Sequence, residues 1–178
     1  VVAHRGYWRA PGSAQNSIAS LCKADSIDCY GSELDVWLST DGVLFVNHDA
    51  VFKGHNVEQS SSAELRAIIL DNGEHMPTLD EYLAKAKTLK TRIVLELKAH
   101  QTKEKEAEAV AKIVAMVEKY GLTDRTEYIS FSLFACKEFK RVAPQGTDIY
   151  YLNGELSPAE LKTLGFAGFD YSMGPIKK

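Results

Sequence analysis

The chain has no apolar run approaching the ~18 residues that a membrane-spanning helix requires, so the expectation is a soluble globular domain with no transmembrane segment. Cysteine is scarce. Cys22, Cys29 and Cys136 are an odd number and none belongs to a CxxC pair, which excludes a disulfide framework and a cysteine zinc site and leaves small half-buried thiols. An excess of one charge is also lacking: 21 Lys and Arg against 24 Asp and Glu give a formal net charge of -3. Nothing in that balance calls for nucleic acid as a partner. Repeats, low-complexity tracts and linkers are missing as well, so residues 1–178 are read as a single domain. Val1-Val2-Ala3 already looks like a buried strand rather than a targeting segment. The compartment therefore stays open, an extracytoplasmic one being preferred to the cytoplasm, and the oligomeric state is not legible.

What is there is a long alternation of short strand-like runs and helical patterns. Ile18, Leu21 and Cys22 recur at helical spacing, and Val110, Ile113, Val114 and Val117 form the clearest helical stripe, with Gly121 as its stop. Ser61 with Glu64, Thr78 with Glu81, and Ser157 with Glu160 behind Pro158 mark three helix starts. The strands expected to run parallel contain His4, Asp35, Glu96, Ser130, Tyr151 and Asp170. An open doubly wound sheet gathers its ligands at one switch point. Here reactive residues recur at the C-terminal ends of consecutive strands, which predicts an α/β chain of the TIM-type β/α barrel class with a β-hairpin inserted after strand 2. Such a barrel takes about 250 residues, so the chain is expected to lack the last two strands and to be C-terminally incomplete.

The segment Gly31–Asp49, GSELDVWLSTDGVLFVNHD, holds the chemistry. Alternate strand residues share a face, so Glu33 and Asp35 project together, and Glu96 and Lys98 do the same one strand later. Asp41-Gly42 predicts a two-residue hairpin turn that pairs Thr40 with Val43 and sets Asp35 opposite His48; a three-residue loop would shift that register by one. Carboxylates forced together call for a cation, and an all-oxygen set favours Mg²⁺ or Ca²⁺ over zinc. His4 ends the first strand, followed by Arg5, whose planar fork suits phosphate, and by Gly6. Two histidines beside a metal and an Arg-Lys pair point to acid-base chemistry on a phosphate ester. His55, His75 and His100 read as solvated, and Trp8 and Trp37 as core or rim packing.

The motifs HRG at 4–6, ELDV at 33–36, TDGVLFVNHD at 40–49, PTLDEYL at 77–83 and ELK at 96–98 together resemble the glycerophosphodiester phosphodiesterase family, within the phospholipase-C-like barrel superfamily. The resemblance implies hydrolysis of a small-molecule glycerophosphodiester to glycerol 3-phosphate and an alcohol, through a possible cyclic phosphate. It implies His4 and His48 as the acid-base pair, Glu33, Asp35 and Glu96 as holders of a divalent metal, and Arg5 and Lys98 near the phosphate. One departure lies in AQNS at 14–17, where Gln15 stands in place of the family's usual Glu while Asn16 is kept. The family's late strands, one with a Trp-Thr-Val run and one with an acidic end, are not found. The rival readings are a relative acting on lysophospholipid or sphingolipid headgroups, and a phosphate-ester-binding domain without turnover.

Overall fold

The computed structural model describes residues 1–169. Six strands run parallel in the order β1 (Val2–Ala3), β2 (Gly31–Leu38), β6 (Arg92–Leu97), β7 (Thr126–Ser130), β8 (Ile149–Tyr151) and β9 (Gly168–Phe169). Spatial order follows chain order without reversal, which is the wall of a TIM-type β/α barrel rather than a doubly wound sheet. Asp170, expected on the last strand, lies outside the described residues. Helices α1 (Ile18–Ser26), α3 (Leu79–Ala86), α4 (Lys103–Lys119), α5 (Leu133–Val142) and α6 (Pro158–Thr163) connect the strands, with a short α2 (Ser62–Arg66) in the insertion after β2.

The helix starts are set by local chemistry. Ser61 and Ser157 each close a reciprocal capping box with Glu64 and Glu160, and Thr78 caps α3 by accepting from the Glu81 amide. Gly121, at φ +68°, follows the end of α4. Strand parity then divides the sheet into two faces. Leu34, Val36 and Leu38, with Ile93, Leu95 and Leu97, enter one core together with Leu83 of α3, Ile113 of α4 and Phe139 of α5. Tyr128 of β7 stacks on Phe139 with ring centroids 4.3 Å apart. The opposite parity, including Glu33, Val94, Glu96, Glu127, Ile129 and Tyr150, lines a cavity of about 630 Å³. The acids therefore sit on the inner face while aliphatic residues hold the helices outside.

The hairpin departs from the two-residue expectation. β3 (Leu44–Val46) pairs antiparallel with β2 through Leu38–Leu44, Trp37–Phe45 and Val36–Val46. Ser39 donates its amide to Val43 O at 2.9 Å, so the loop is Thr40-Asp41-Gly42, three residues, with Gly42 at φ +79°. A left-handed third loop position suits glycine and is a common three-residue hairpin solution. Asp35 thus faces Asn47, whose amide donates to Asp35 O at 3.0 Å, and His48 comes one position later.

Beyond β3 the insertion carries β4 (Val51–Phe52), β5 (His55–Asn56) and α2. It has its own apolar cluster of Trp37, Phe45, Val57, Leu65, Ile68, Leu70 and Met76. Trp37 is therefore a core residue. His100, expected to be solvated, is half-buried against Trp37, with ring centroids 5.2 Å apart. Its Nε2 accepts from the Leu38 amide at 3.0 Å and its Nδ1 donates to Lys98 O at 2.6 Å. Burial holds its pKa below the ordinary histidine value. This neutral ring ties the β6 exit to the end of β2.

Gly6 illustrates how tightly the β1–α1 loop is folded. At φ +74°, an added Cβ would lie 2.6 Å from Ser20 Cβ and 2.8 Å from the Ser20 carbonyl carbon. Gly6→Ala is expected to cost about 2–3 kcal/mol from overpacking and a disfavoured φ, read as a lowered urea midpoint. An unchanged midpoint would show that the loop is looser than described.

Candidate active site

Three inner-face carboxylates converge at the C-terminal end of the sheet. The parallel register sets Asp35 beside Glu96, and Glu33 lies two residues earlier on the same face of β2. Ligand oxygens from Glu33, Asp35 and Glu96 fall within 4.8 Å of one another, and all three residues are buried. The two on β2 are held from behind. Glu33 Oε2 accepts from the Arg5 amide at 2.7 Å, and Asp35 Oδ2 accepts from Asn16 Nδ2 at 2.9 Å. The Asp35 amide in turn donates to Asn16 Oδ1 at 3.2 Å, so Asn16 clamps Asp35 at two points.

That clamp depends on backbone geometry. Arg5 and Asn16 both take left-handed φ, +58° and +57°, and the Asn16 amide donates to Arg5 O at 3.0 Å. Asparagine tolerates this region better than most residues; arginine does so at a cost of about 1–2 kcal/mol.

Lys98, two residues beyond Glu96, places Nζ 2.9 Å from Asp35 Oδ1 and 2.9 Å from Glu96 Oε1. The contact to Asp35 is close but poorly aligned, so Asp35 Oδ1, like Glu33 Oε1, lacks a directed hydrogen bond while buried. Three carboxylates against one ammonium leave negative charge uncompensated if all ionise. The consequence appears in their proton affinities. Burial, reinforced by the Asp35 charge, pushes Glu33 up to about 8. Burial, with Lys98 opposing and Asp35 reinforcing, pushes Glu96 up to about 7. Burial works against the Lys98 charge, yet the Asp35 and Glu96 charges prevail and raise its pKa. Glu33 Oε1, buried without a partner within an all-carboxylate set, fits a hard divalent cation.

Two imidazoles stand at the rim of this cluster. His4 and His48 have ring centroids 6.4 Å apart at 83°, and His4 Nε2 is 3.9 Å from Glu33 Oε2. Burial first, then the Arg5 charge, lowers the His4 pKa, which favours the neutral ring. His48 arrives at the rim despite the shifted register because the chain leaves the ladder after Asn47, whose amide makes the last bond to β2. Its Nδ1 donates to Asp49 Oδ1 at 2.7 Å, and its Nε2 accepts from Arg5 Nη2 at 2.8 Å. Arg5 is an obligate donor, so this pairing leaves the His48 proton on Nδ1. Arg5 Nη1 also donates to Gln15 Oε1 at 2.7 Å.

The structure thus brings together all seven residues singled out in the sequence: His4, Arg5, Glu33, Asp35, His48, Glu96 and Lys98. Sequence reasoning assigned no role to Asn16 or to Asp49. Asp49 had a signal, its place directly after His48, whereas the Asn16 clamp spans 19 residues and leaves no local trace.

Residues 4–162 match the model of the glycerophosphoryl diester phosphodiesterase family. The chain belongs to that family. A glycerophosphodiester phosphodiesterase of known structure from Parabacteroides distasonis is 51% identical, with a TM-score of 0.93 over 96% of this chain and 71% of that one. An Oleispira antarctica phosphodiesterase solved with its product sn-glycerol 3-phosphate is 26% identical, with a TM-score of 0.81 over 96% and 73% of the two chains. A curated glycerophosphodiester phosphodiesterase from Caldanaerobacter subterraneus is 26% identical over 81% of this chain. The chain spans 63% of that relative's length. Membership of the family agrees with the strand order and with the inner-face cluster. Among the described residues no helix is long and apolar enough to cross a membrane.

Proposed function

We propose that the protein hydrolyses glycerophosphodiesters to glycerol 3-phosphate and an alcohol, with His4 and His48 as the acid-base pair. The observation that carries this reading is the meeting of both imidazoles with Glu33, Glu96 and Lys98 around one cavity, with Asp35 behind them in the same acid cluster, in a member of this family. Glu33, Asp35 and Glu96 would hold a divalent cation, Mg²⁺ or Ca²⁺, which when bound would supply positive charge to stabilise the developing phosphoryl negative charge.

The chain's own residues do the rest. Asp49 orients His48 and fixes the proton on Nδ1, leaving Nε2 to exchange a proton with substrate once Arg5 releases it. Arg5 then turns its guanidinium from His48 to the phosphate, where a planar fork binds two oxygens. Lys98 offers a second cation beside the acids. One imidazole takes the proton of the glycerol hydroxyl next to the phosphate, and that oxygen attacks phosphorus. The other, entering the step as the imidazolium, gives its proton to the departing alcohol oxygen. Water opens the resulting cyclic phosphate with the two roles reversed, giving glycerol 3-phosphate.

Enzymatic detection of glycerol 3-phosphate from glycerophosphocholine, with Mg²⁺ or Ca²⁺ and after EDTA, tests the reading. Cation-dependent release is expected. Headgroup release from intact lipids alone would favour a lipid phosphodiesterase, and binding without turnover would favour a phosphate-ester-binding domain.

The acid cluster also predicts a pH signature. A carboxylate with a raised folded-state pKa stabilises the fold below its unfolded value of 4.5 and loses that contribution as pH rises through about 7 to 8. In EDTA the melting temperature is therefore expected to fall between about pH 5 and pH 8.5. Saturating divalent cation should restore more stability at the higher pH, where its ligands are already ionised and binding displaces no proton. A cation-induced gain that is equal at both pH values would count against these ligands.

A further inference from the structure

A second cavity, of about 500 Å³, lies between the β1–α1 loop and the insertion, and His48 lines both it and the inner-face cavity. Glu33 and Glu96 line the first cavity and not the second, so the second begins on the far side of the His48 imidazole. A diester whose phosphorus sits by the acids and His48 has two arms, and this cavity is placed to receive one of them.

The lining shows which chemistry it accepts. An alkylammonium group would seek an open aromatic face or a carboxylate without a partner. Of the two carboxylates in the wall, Asp71 is paired with the Lys53 ammonium at 3.2 Å, and Asp49 keeps its charge but commits one oxygen to His48 Nδ1 at 2.7 Å. Both aromatic rings in the wall carry the chain's own cations, Trp8 the Arg9 guanidinium 5.1 Å from its centroid and Phe52 the Lys53 ammonium at 5.7 Å, so an incoming cation meets like charge there.

Neutral hydrogen-bonding groups, by contrast, are left over. Ser13 Oγ is buried without a partner. Asn47 is 5% exposed and uses Nδ2 to donate to Asp49 O at 2.7 Å, while its Oδ1 has no hydrogen bond among the described residues. Gln15 accepts from Arg5 through Oε1, and its amide N–H groups likewise have no acceptor among the described residues. A hydroxyl donates and accepts at once, so a hydroxyl-rich group satisfies this mixture where an ammonium cannot.

We propose that this cavity is the subsite for the leaving alcohol and that it selects a polyol over an alkylammonium alcohol. The inference rests on the phosphodiesterase reading for its substrate but not for its test. Dissociation constants of intact glycerophosphoinositol and glycerophosphocholine are measured by calorimetry on the His4→Ala protein with saturating Mg²⁺, where turnover does not interfere. The polyol diester is expected to bind about tenfold tighter, the order of a few well-placed hydrogen bonds. Adding Trp8→Ala or Ser13→Ala should bring the two constants together. Ser13→Ala removes a single oxygen from a loop and covers the case in which Trp8→Ala loosens it. Equal binding, tighter choline-diester binding, or a preference that survives both substitutions overturns the proposal. Wild-type protein that releases no glycerol 3-phosphate from either diester, while the binding preference persists, removes the catalytic reading and leaves the subsite standing.

Discussion

Replacing His48 with alanine is expected to lower glycerophosphodiester turnover by about 10²–10⁴, the range associated with a positioned acid or base. The size of the effect follows from how completely the fold commits this ring. Nδ1 is tied to Asp49, Nε2 points at the Arg5 guanidinium, and the ring stands 6.4 Å from His4 across the cavity mouth. The same substitution should leave divalent cation affinity largely intact, since the His48 nitrogens bond Arg5 and Asp49 rather than the acid cluster. His4→Ala should behave alike, with a modest effect on the cation because its Nε2 is 3.9 Å from Glu33. Calorimetry of Mg²⁺ or Ca²⁺ binding alongside turnover separates the two quantities. A His48→Ala protein with near-normal rates would remove the acid-base assignment.

Glu33→Gln is expected to act on the cation and on the fold in opposite directions. Changes to groups that merely support a metal ligand cost about 10–100-fold in affinity, so loss of a direct carboxylate should cost at least about a hundredfold. Glutamine keeps an oxygen for the Arg5 amide that Glu33 Oε2 now accepts, so the β1–α1 loop is not left with an orphaned donor. Meanwhile the cation-free protein should gain stability near pH 8.5, because a buried carboxyl pushed up to about 8 no longer has to ionise there. A denaturant midpoint raised in EDTA together with weakened cation binding is the expected pair. A merely structural glutamate would lose stability on substitution without that exchange, and this outcome would contradict its place among the metal ligands.

Much of this site could be read from strand parity alone. The spacing of Glu33 with Asp35 and of Glu96 with Lys98 set each pair on one face, and parallel pairing brought Asp35 beside Glu96. Helix starts at Ser61, Thr78 and Ser157 were legible because caps are local. The hairpin register was not, since Asp-Gly serves two- and three-residue loops alike, and the Ser39–Val43 amide pairing decides between them. His48 nevertheless reaches the rim, because its position depends on the chain's exit from β3 rather than on a ladder partner. His100 was misread for a different reason. Its bond to the Leu38 amide spans 62 residues, and a histidine that staples two strand ends looks in sequence like one in solvent. The Arg5–His48 contact, 43 residues apart, is hidden in the same way.

The most direct test is ³¹P spectroscopy of glycerophosphocholine incubated with the purified protein, with divalent cation and after its removal by EDTA. The proposed mechanism predicts that the diester signal is replaced by that of glycerol 3-phosphate when the cation is present and persists when it is removed. Formation of phosphocholine in place of glycerol 3-phosphate, or unchanged turnover in EDTA, would contradict it.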